Sequence, residues 1–324
     1  MLSFVRSAQE KPDEDLTPGR RQPTLGLALG AGAARGWCHI GVLRELADHG
    51  ITPHVIAGTS IGAVVGGCYA AGRLDDLESF ARALTRRRVF GLLDLTLSGR
   101  GLISGGRLRA RLEAAVGDRR VEDLPIRFAA VATATGSGHE VWLTQGDLGE
   151  AIRASYALPG ILEPVLVGGR WLVDGALVNP VPVTLCRALG ADMVVAVNIF
   201  GDTLFRGTVM MQPDAPEVIE AAAESAGVRG ARRAALCRRT KEGAPSMATV
   251  MTDAFNTMQD RISRSRLAGD PPDVMVKARL DGMGLFDFHR ADELIALGRD
   301  AARRAIPEIV DHLAATPAVI QPAR

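Results

Sequence analysis

Gly58-Thr59-Ser60-Ile61-Gly62 sets a serine between two glycines. The apolar run His54-Val55-Ile56-Ala57 precedes it, and the small-residue run Ala63–Ala71 follows. A strand that turns sharply into a helix at a G-x-S-x-G serine lifts the hydroxyl clear of the backbone. The helix N-terminus beneath favours developing negative charge. The chemistry offered is nucleophilic attack by Ser60, with Gly58, Ile61 and Gly62 forming the elbow. An alanine- and glycine-rich chain can produce the pattern by chance, so its meaning rests on its neighbours.

Upstream, the apolar run Leu25–Leu29 leads into Gly30-Ala31-Gly32-Ala33-Ala34-Arg35-Gly36. Trp37, Ile40, Leu43, Leu46 and Ala47 then recur at helical spacing. A glycine- and alanine-rich loop at a helix N-terminus points backbone N–H groups at an anion, either a pyrophosphate or an oxyanion. A dinucleotide site needs an acidic residue at the end of the next strand, roughly 20 residues on. Here that strand ends in Ala57-Gly58-Thr59-Ser60, and the lysine of a phosphate-binding P-loop is missing too. The loop therefore reads as an oxyanion hole, with a plain turn that binds nothing as the bland alternative. Downstream, Arg170-Trp171-Leu172-Val173-Asp174-Gly175-Ala176 ends an apolar run in an aspartate and a glycine. An Asp-Gly pair is most often only a turn. Beside the other two motifs, Asp174 is a base for Ser60.

In this order, the three motifs resemble the patatin-like phospholipase family. The segment Ala154–Pro164 looks like the family's Pro-Gly stretch before the aspartate. Leu267–Asp273 and Phe286–Ala291 resemble the C-terminal part of its bacterial RssA-type subgroup. The resemblance implies an α/β, three-layer fold with a mostly parallel central sheet and helices on both faces. It implies a Ser60–Asp174 dyad acting through an acyl-enzyme on lipid acyl esters, without cofactor or metal. Oxyanion donors would come from the Ala31–Arg35 amides, in the loop that carries Ala31, Gly32, Ala33, Arg35 and Gly36. The turn after the base would be Gly175-Ala176. The family pattern often has three successive glycines where this chain has Ala31-Gly32-Ala33. Alanine keeps the N–H but demands ordinary φ and narrows the space near the acyl group.

The 324 residues suffice for a sizeable core, and the formal net charge of +1 gives no global pull toward nucleic acid. Cys38, Cys68, Cys186 and Cys237 lie far apart without metal-ligand spacing; three sit among apolar residues in helix candidates and read as core thiols, which fits a reducing cytoplasm. No signal peptide is evident, and no apolar run reaches the length of about 18 residues that suggests a membrane span. An enzyme for membrane lipids would then work at the surface, as a peripheral protein on the inner face of the membrane, or on free monomeric esters.

The expected organisation is a disordered charged tail (1–22), a catalytic core (23–200), an insert or lid (201–250) and a C-terminal strand with helices (251–324). Core strands are expected at 24–30, 54–58, 127–134, 191–197 and 273–278. Helices are expected at 36–49, 61–72, 247–267 and 289–315. Within the insert, Arg229, Arg232, Arg233, Arg238, Arg239 and Lys241 form a basic cluster. It reads as a solvated stretch, a contact with anionic membrane lipid, or a partner-docking segment. Ser60, Asp174 and His289 also follow the nucleophile, acid, histidine order of α/β-hydrolases, so a triad is a minor alternative. His39 sits on the helix after the loop, where packing and site-lining are both open. Against the hydrolase stand two further readings: an adaptor that keeps the fold with weak or no activity, and nucleotide binding at the Gly30 loop.

Overall fold

The computed structural model describes residues 20–21, 23–92, 105–200, 247–280, 282–315 and 319–320. Except for Arg20–Arg21, the tail and the basic cluster from Arg229 to Lys241 lie outside the described residues.

Short runs of leucine, valine and alanine build the sheet. Its strands are β1 (Leu25–Leu29), β2 (Val55–Thr59), β3 (Arg127–Ala134), β4 (Glu140–Leu143), β5 (Val165–Val167), β6 (Arg170–Asp174), β7 (Met193–Asn198) and β8 (Val274–Lys277). Strand β1 lies between β2 and β7. The β1–β2, β1–β7, β2–β3 and β7–β8 pairs are parallel. Strands β4 and β6 pair antiparallel with β3, and β5 pairs antiparallel with β6. The parallel half matches the alternation of strand and helix in the sequence. The alternation does not predict the antiparallel strands β4 and β5, which are short and partly exposed.

Both faces of β1, β2 and β7 are buried, as expected when helices cover both sides. The larger side chains Leu25, Leu27, Leu29, Ile56 and Phe128 join the core under α1 (Trp37–Asp48), α2 (Ile61–Ala70), α3 (Leu74–Arg82) and α6 (Leu148–Tyr156). The small residues Ala28, Ala57, Ala129, Val194 and Ala196 face the other way, toward α7 (Val183–Ala188) and Leu267 of the long helix Met247–Gly269. Cys38, Cys68 and Cys186 are buried free thiols, and burial pushes each up to about 12. Among the described residues, no helix is long and apolar enough to cross a membrane.

The closing helix Ala291–Ala315 runs along α1 at unusually close range. A Cβ on Gly298 would lie 2.0 Å from the Cys38 carbonyl oxygen, and one on Gly41 would lie 2.0 Å from the Ile295 oxygen. Two glycines thus let the backbones meet. Beside the crossing, buried Glu45 accepts from Arg303 at 2.8 Å and from Arg299 at 3.2 Å.

Gly298→Ala must push the two helices apart, and the expected cost is about 1–3 kcal/mol. Gly269→Ala, with nothing within 4 Å of the added carbon, should stay within about 0.5 kcal/mol. Urea midpoints at unchanged m-value measure both. Equal stability of the two variants would refute the close crossing.

Candidate active site

The register of β3 sets the site. Strand β2 pairs with β3 as far as Thr59↔Val131 and then ends. The next β3 residue, Ala132, is met by Asp174 at the end of β6. Strand β4 holds the opposite edge of both Val131 and Ala132, so β6 takes up the edge that β2 leaves. Ser60, one residue beyond Thr59, therefore lies end to end with Asp174 along one edge of β3. The Ser60 hydroxyl donates to Asp174 Oδ2 at 2.6 Å.

Both side chains are nearly out of water, Ser60 9% and Asp174 2% exposed. Burial raises the Asp174 carboxyl to about 7, against the opposing pull of hydrogen bonds from Ser60 Oγ and the Ala176 N–H. The backbone fixes the carboxylate from both ends. The Asp174 N–H donates to the Ala157 carbonyl at 2.9 Å, and the Thr133 hydroxyl donates to the Asp174 carbonyl at 2.9 Å. A side chain on Gly175 would lie 2.2 Å from the Val131 oxygen, so the turn after Asp174 has to be glycine.

Ser60 is strained, with φ +57° and ψ −122°. For a residue with a side chain, such a conformation costs on the order of 1–3 kcal/mol. It persists because its backbone is held. The Ser60 carbonyl accepts from the Ala63 and Val64 N–H groups at the start of α2, and its own N–H donates to Ser155 Oγ at 2.9 Å. The Ser155 hydroxyl in turn donates to the Val131 carbonyl at 2.6 Å. Ser155 lies in the Ala154–Pro164 segment, where the sequence alone assigns it no role. A lone hydroxyl on the otherwise apolar inner face of α6 was the available signal. Gly62 allows α2 to sit against the first loop: a Cβ there would be 2.1 Å from the Leu29 oxygen. Gly36 similarly abuts the Ile61 side chain.

The glycine-rich loop is pinned from several sides. The N–H groups of Gly30, Ala31, Ala34 and Arg35 donate to the carbonyls of Val197, Pro180, Leu285 and Gly32. Arg35 Nε donates to the Met283 carbonyl at 3.0 Å, so this arginine ties the loop to the C-terminal segment. Of the amides expected to serve an oxyanion, Ala31, Ala34 and Arg35 are thus already engaged. Gly32 and Ala33 have no acceptor among the described residues. Gly32 has φ +155° and Ala33 φ +49°. The expectation of ordinary φ at the alanines fails at Ala33. With Ala31 and Ala34 both tied down, the intervening peptides must turn through positive φ, at a cost of roughly 1–2 kcal/mol for a residue with a side chain.

His39 lines neither the dyad nor a cleft. It is fully buried, and its Nε2 lies 2.7 Å from the Gly30 carbonyl oxygen. A carbonyl only accepts, so Nε2 carries the proton. Burial lowers His39 to about 4, which keeps it neutral. His39 thus holds the loop from behind. His289 is not joined to the dyad: its Nε2 accepts from Arg86 Nε at 3.2 Å, while both Asp174 oxygens are taken by Ser60 and Ala176. The triad alternative is therefore corrected.

Residues 27–187 match the family described as patatin-like phospholipase. An uncharacterized NTE family protein of Mycobacterium tuberculosis is 34% identical, over 89% of this chain and 92% of its own length. Lysophospholipase NTE1 of Yarrowia lipolytica is 37% identical over 57% of this chain, and patatin-like phospholipase domain-containing protein 7 of Mus musculus is 32% identical over 60%. Those two alignments cover only 14% and 15% of the longer proteins.

The two buried groups act oppositely on stability. Asp174 rises from 3.8 to about 7 on folding, so its contribution is fully present below pH 3.8 and is lost as pH rises through about 7. His39 falls from 6.5 to about 4, so its contribution is present above pH 6.5 and is lost as pH falls toward 4. Between these limits the slopes cancel, and wild type alone hides both. Asp174→Asn removes one. Relative to wild type, this variant should gain about 4 kcal/mol between pH 4 and pH 8. Denaturant midpoints across that range measure it, and a constant difference would refute the buried, raised carboxyl.

Proposed function

Because this chain belongs to the patatin-like phospholipase family, we propose that it is a serine hydrolase of lipid acyl esters, of the phospholipase or lysophospholipase class. The reading is supported most by one observation: a strained, buried serine hydroxyl at 2.6 Å from a carboxylate whose pKa lies near neutrality. A general base works best when its pKa lies close to the working pH. Ordinary aspartate is too weak a base, and burial brings Asp174 into range.

In this mechanism Ser60 Oγ attacks the ester carbonyl carbon and its proton passes to Asp174 Oδ2. The carbonyl oxygen becomes an oxyanion and takes hydrogen bonds from the Gly32 and Ala33 amides. Two adjacent donors suit a single oxygen better than a pyrophosphate, which disfavours the nucleotide reading. The tetrahedral intermediate collapses, the C–O bond to the alcohol breaks, and Asp174 returns the proton to the leaving oxygen. Water then attacks the acyl-serine, again losing its proton to Asp174, and collapse releases the fatty acid and restores Ser60. Pre-set donors of this kind usually carry the largest share of such a rate enhancement. The names of the Yarrowia and mouse relatives agree with a lysophospholipase or phospholipase activity. Work in the cytoplasm, at the inner face of a membrane, belongs to the same proposal.

Ser60→Ala and Asp174→Asn should each lower hydrolysis of a short soluble ester by about 10³-fold or more, with the double variant little worse, because the two groups act as a unit. Wild-type kcat/KM should fall tenfold per unit below about pH 7, where Asp174 takes up a proton. Near-normal turnover in Asp174→Asn would exclude the dyad. A fluorophosphonate probe that labels wild type but not Ser60→Ala separates a hydrolase from a silent adaptor.

Gly32→Val places a Cβ 2.7 Å from Ile199 Cδ1 at φ +155°. Its turnover should drop about 10²-fold or more, the scale of one lost oxyanion donor. Ala33→Gly should keep turnover and gain up to about 1 kcal/mol of stability, because glycine accepts positive φ without strain. Unimpaired kinetics in Gly32→Val would show that the loop is only a turn.

A further inference from the structure

Helix α3, the short helix α4 (Arg86–Leu92) and α5 (Gly106–Val116) border a groove of about 1070 Å³. Phe80, Leu84 and Ala110 are among its walls, and Arg88, Arg107 and Arg111 also line it. Among the described residues, no aspartate or glutamate lines it, and neither does any residue of the glycine-rich loop, the elbow or the Asp174 turn. Neighbouring carboxylates are committed elsewhere. Glu78 pairs with Arg44 and Arg82, and Glu113 pairs with Arg109. Arg88 donates to the Ala83 carbonyl and has no acidic partner among the described residues. Arg111 has no acidic partner among the described residues.

We propose that this groove binds a single-chain anionic amphiphile. The acyl chain lies along the Phe80–Leu84 wall, and the carboxylate or phosphate is met by Arg88 and Arg111. The volume and apolar lining are those of a lipid-sized ligand site, in which a few polar groups fix orientation. Guanidinium groups match carboxylate and phosphate oxygens in geometry as well as charge. A neutral lipid would gain the wall and waste the arginines, and a nucleotide would gain the arginines and waste the wall. The site is separate from Ser60, so it stands or falls independently of the hydrolase reading.

The test uses the full chain as Ser60→Ala, which prevents turnover of the probes. Oleate, oleoyl lysophosphatidate and oleyl alcohol are titrated below their micellar concentrations. Both anions should bind at least about tenfold more tightly than the alcohol, the scale of one charge-assisted contact. Their relative affinities decide between carboxylate and phosphate. Combining Arg88→Gln with Arg111→Gln should erase that preference and leave the alcohol unchanged. Ala110→Trp should weaken all three probes by filling the groove. On the Ser60 background, these groove variants should hydrolyse a short soluble ester at the wild-type rate. Equal affinity for alcohol and anions, binding indifferent to both sets of substitutions, or no binding of either anion would each overturn the proposal.

Discussion

The site depends on one edge of one strand. Val131 and Ala132 are neighbours on β3, yet one is paired with β2 and the other with β6. A parallel strand ends where an antiparallel strand arrives, and their ends carry Ser60 and Asp174. The 2.6 Å contact is therefore a consequence of main-chain register. Side chains on flexible loops would have to be ordered at an entropic cost for each contact. Here the sheet has already ordered them. A slip of one residue in β6 would turn the carboxylate to the opposite face of the sheet and part the pair.

Holding the pair there is unfavourable in itself. Ser60 and Ala33 both adopt positive φ with a side chain, and Asp174 is removed from water. Each feature costs on the order of 1–3 kcal/mol or more. Such costs persist only where surrounding structure over-determines them. Ser155 bridges the Ser60 N–H to the Val131 carbonyl, and two amides of α2 hold the Ser60 carbonyl. The burial that makes the aspartate costly also raises its basicity.

The C-terminal quarter belongs to the same device. The loop before α1 is fixed by the carbonyls of Met283 and Leu285, and the Trp37 indole donates to the Phe288 carbonyl. The closing helix then locks this segment against α1 through the glycine crossing. From beneath, neutral His39 fastens Gly30 without placing a charge beside the loop. With the amides of Gly30, Ala31, Ala34 and Arg35 bonded, Gly32 and Ala33 are the loop amides without an acceptor among the described residues. Distant parts of the chain thus decide which two N–H groups remain available.

The sequence by itself determined the parallel strands, the helices behind them and the turns that carry Ser60 and Asp174. Those features are local: an apolar run, a helical period and a glycine-flanked turn act through neighbours a few residues away. It also located the glycine-rich loop and argued against a dinucleotide, because a missing acid is visible without coordinates. Other features were decided only in the tertiary structure. The pairing of Ala132 with Asp174 joins residues far apart in the chain, and so does the support that Ser155 gives Ser60. The conformation of Ala33 opposes its intrinsic preference, and it follows from anchors at Pro180 and Leu285 that no local pattern reveals. His289 fitted a triad by order alone, and order carries no distance. Its ring meets Arg86, because the turn before the closing helix packs beside α4 and away from the end of β6.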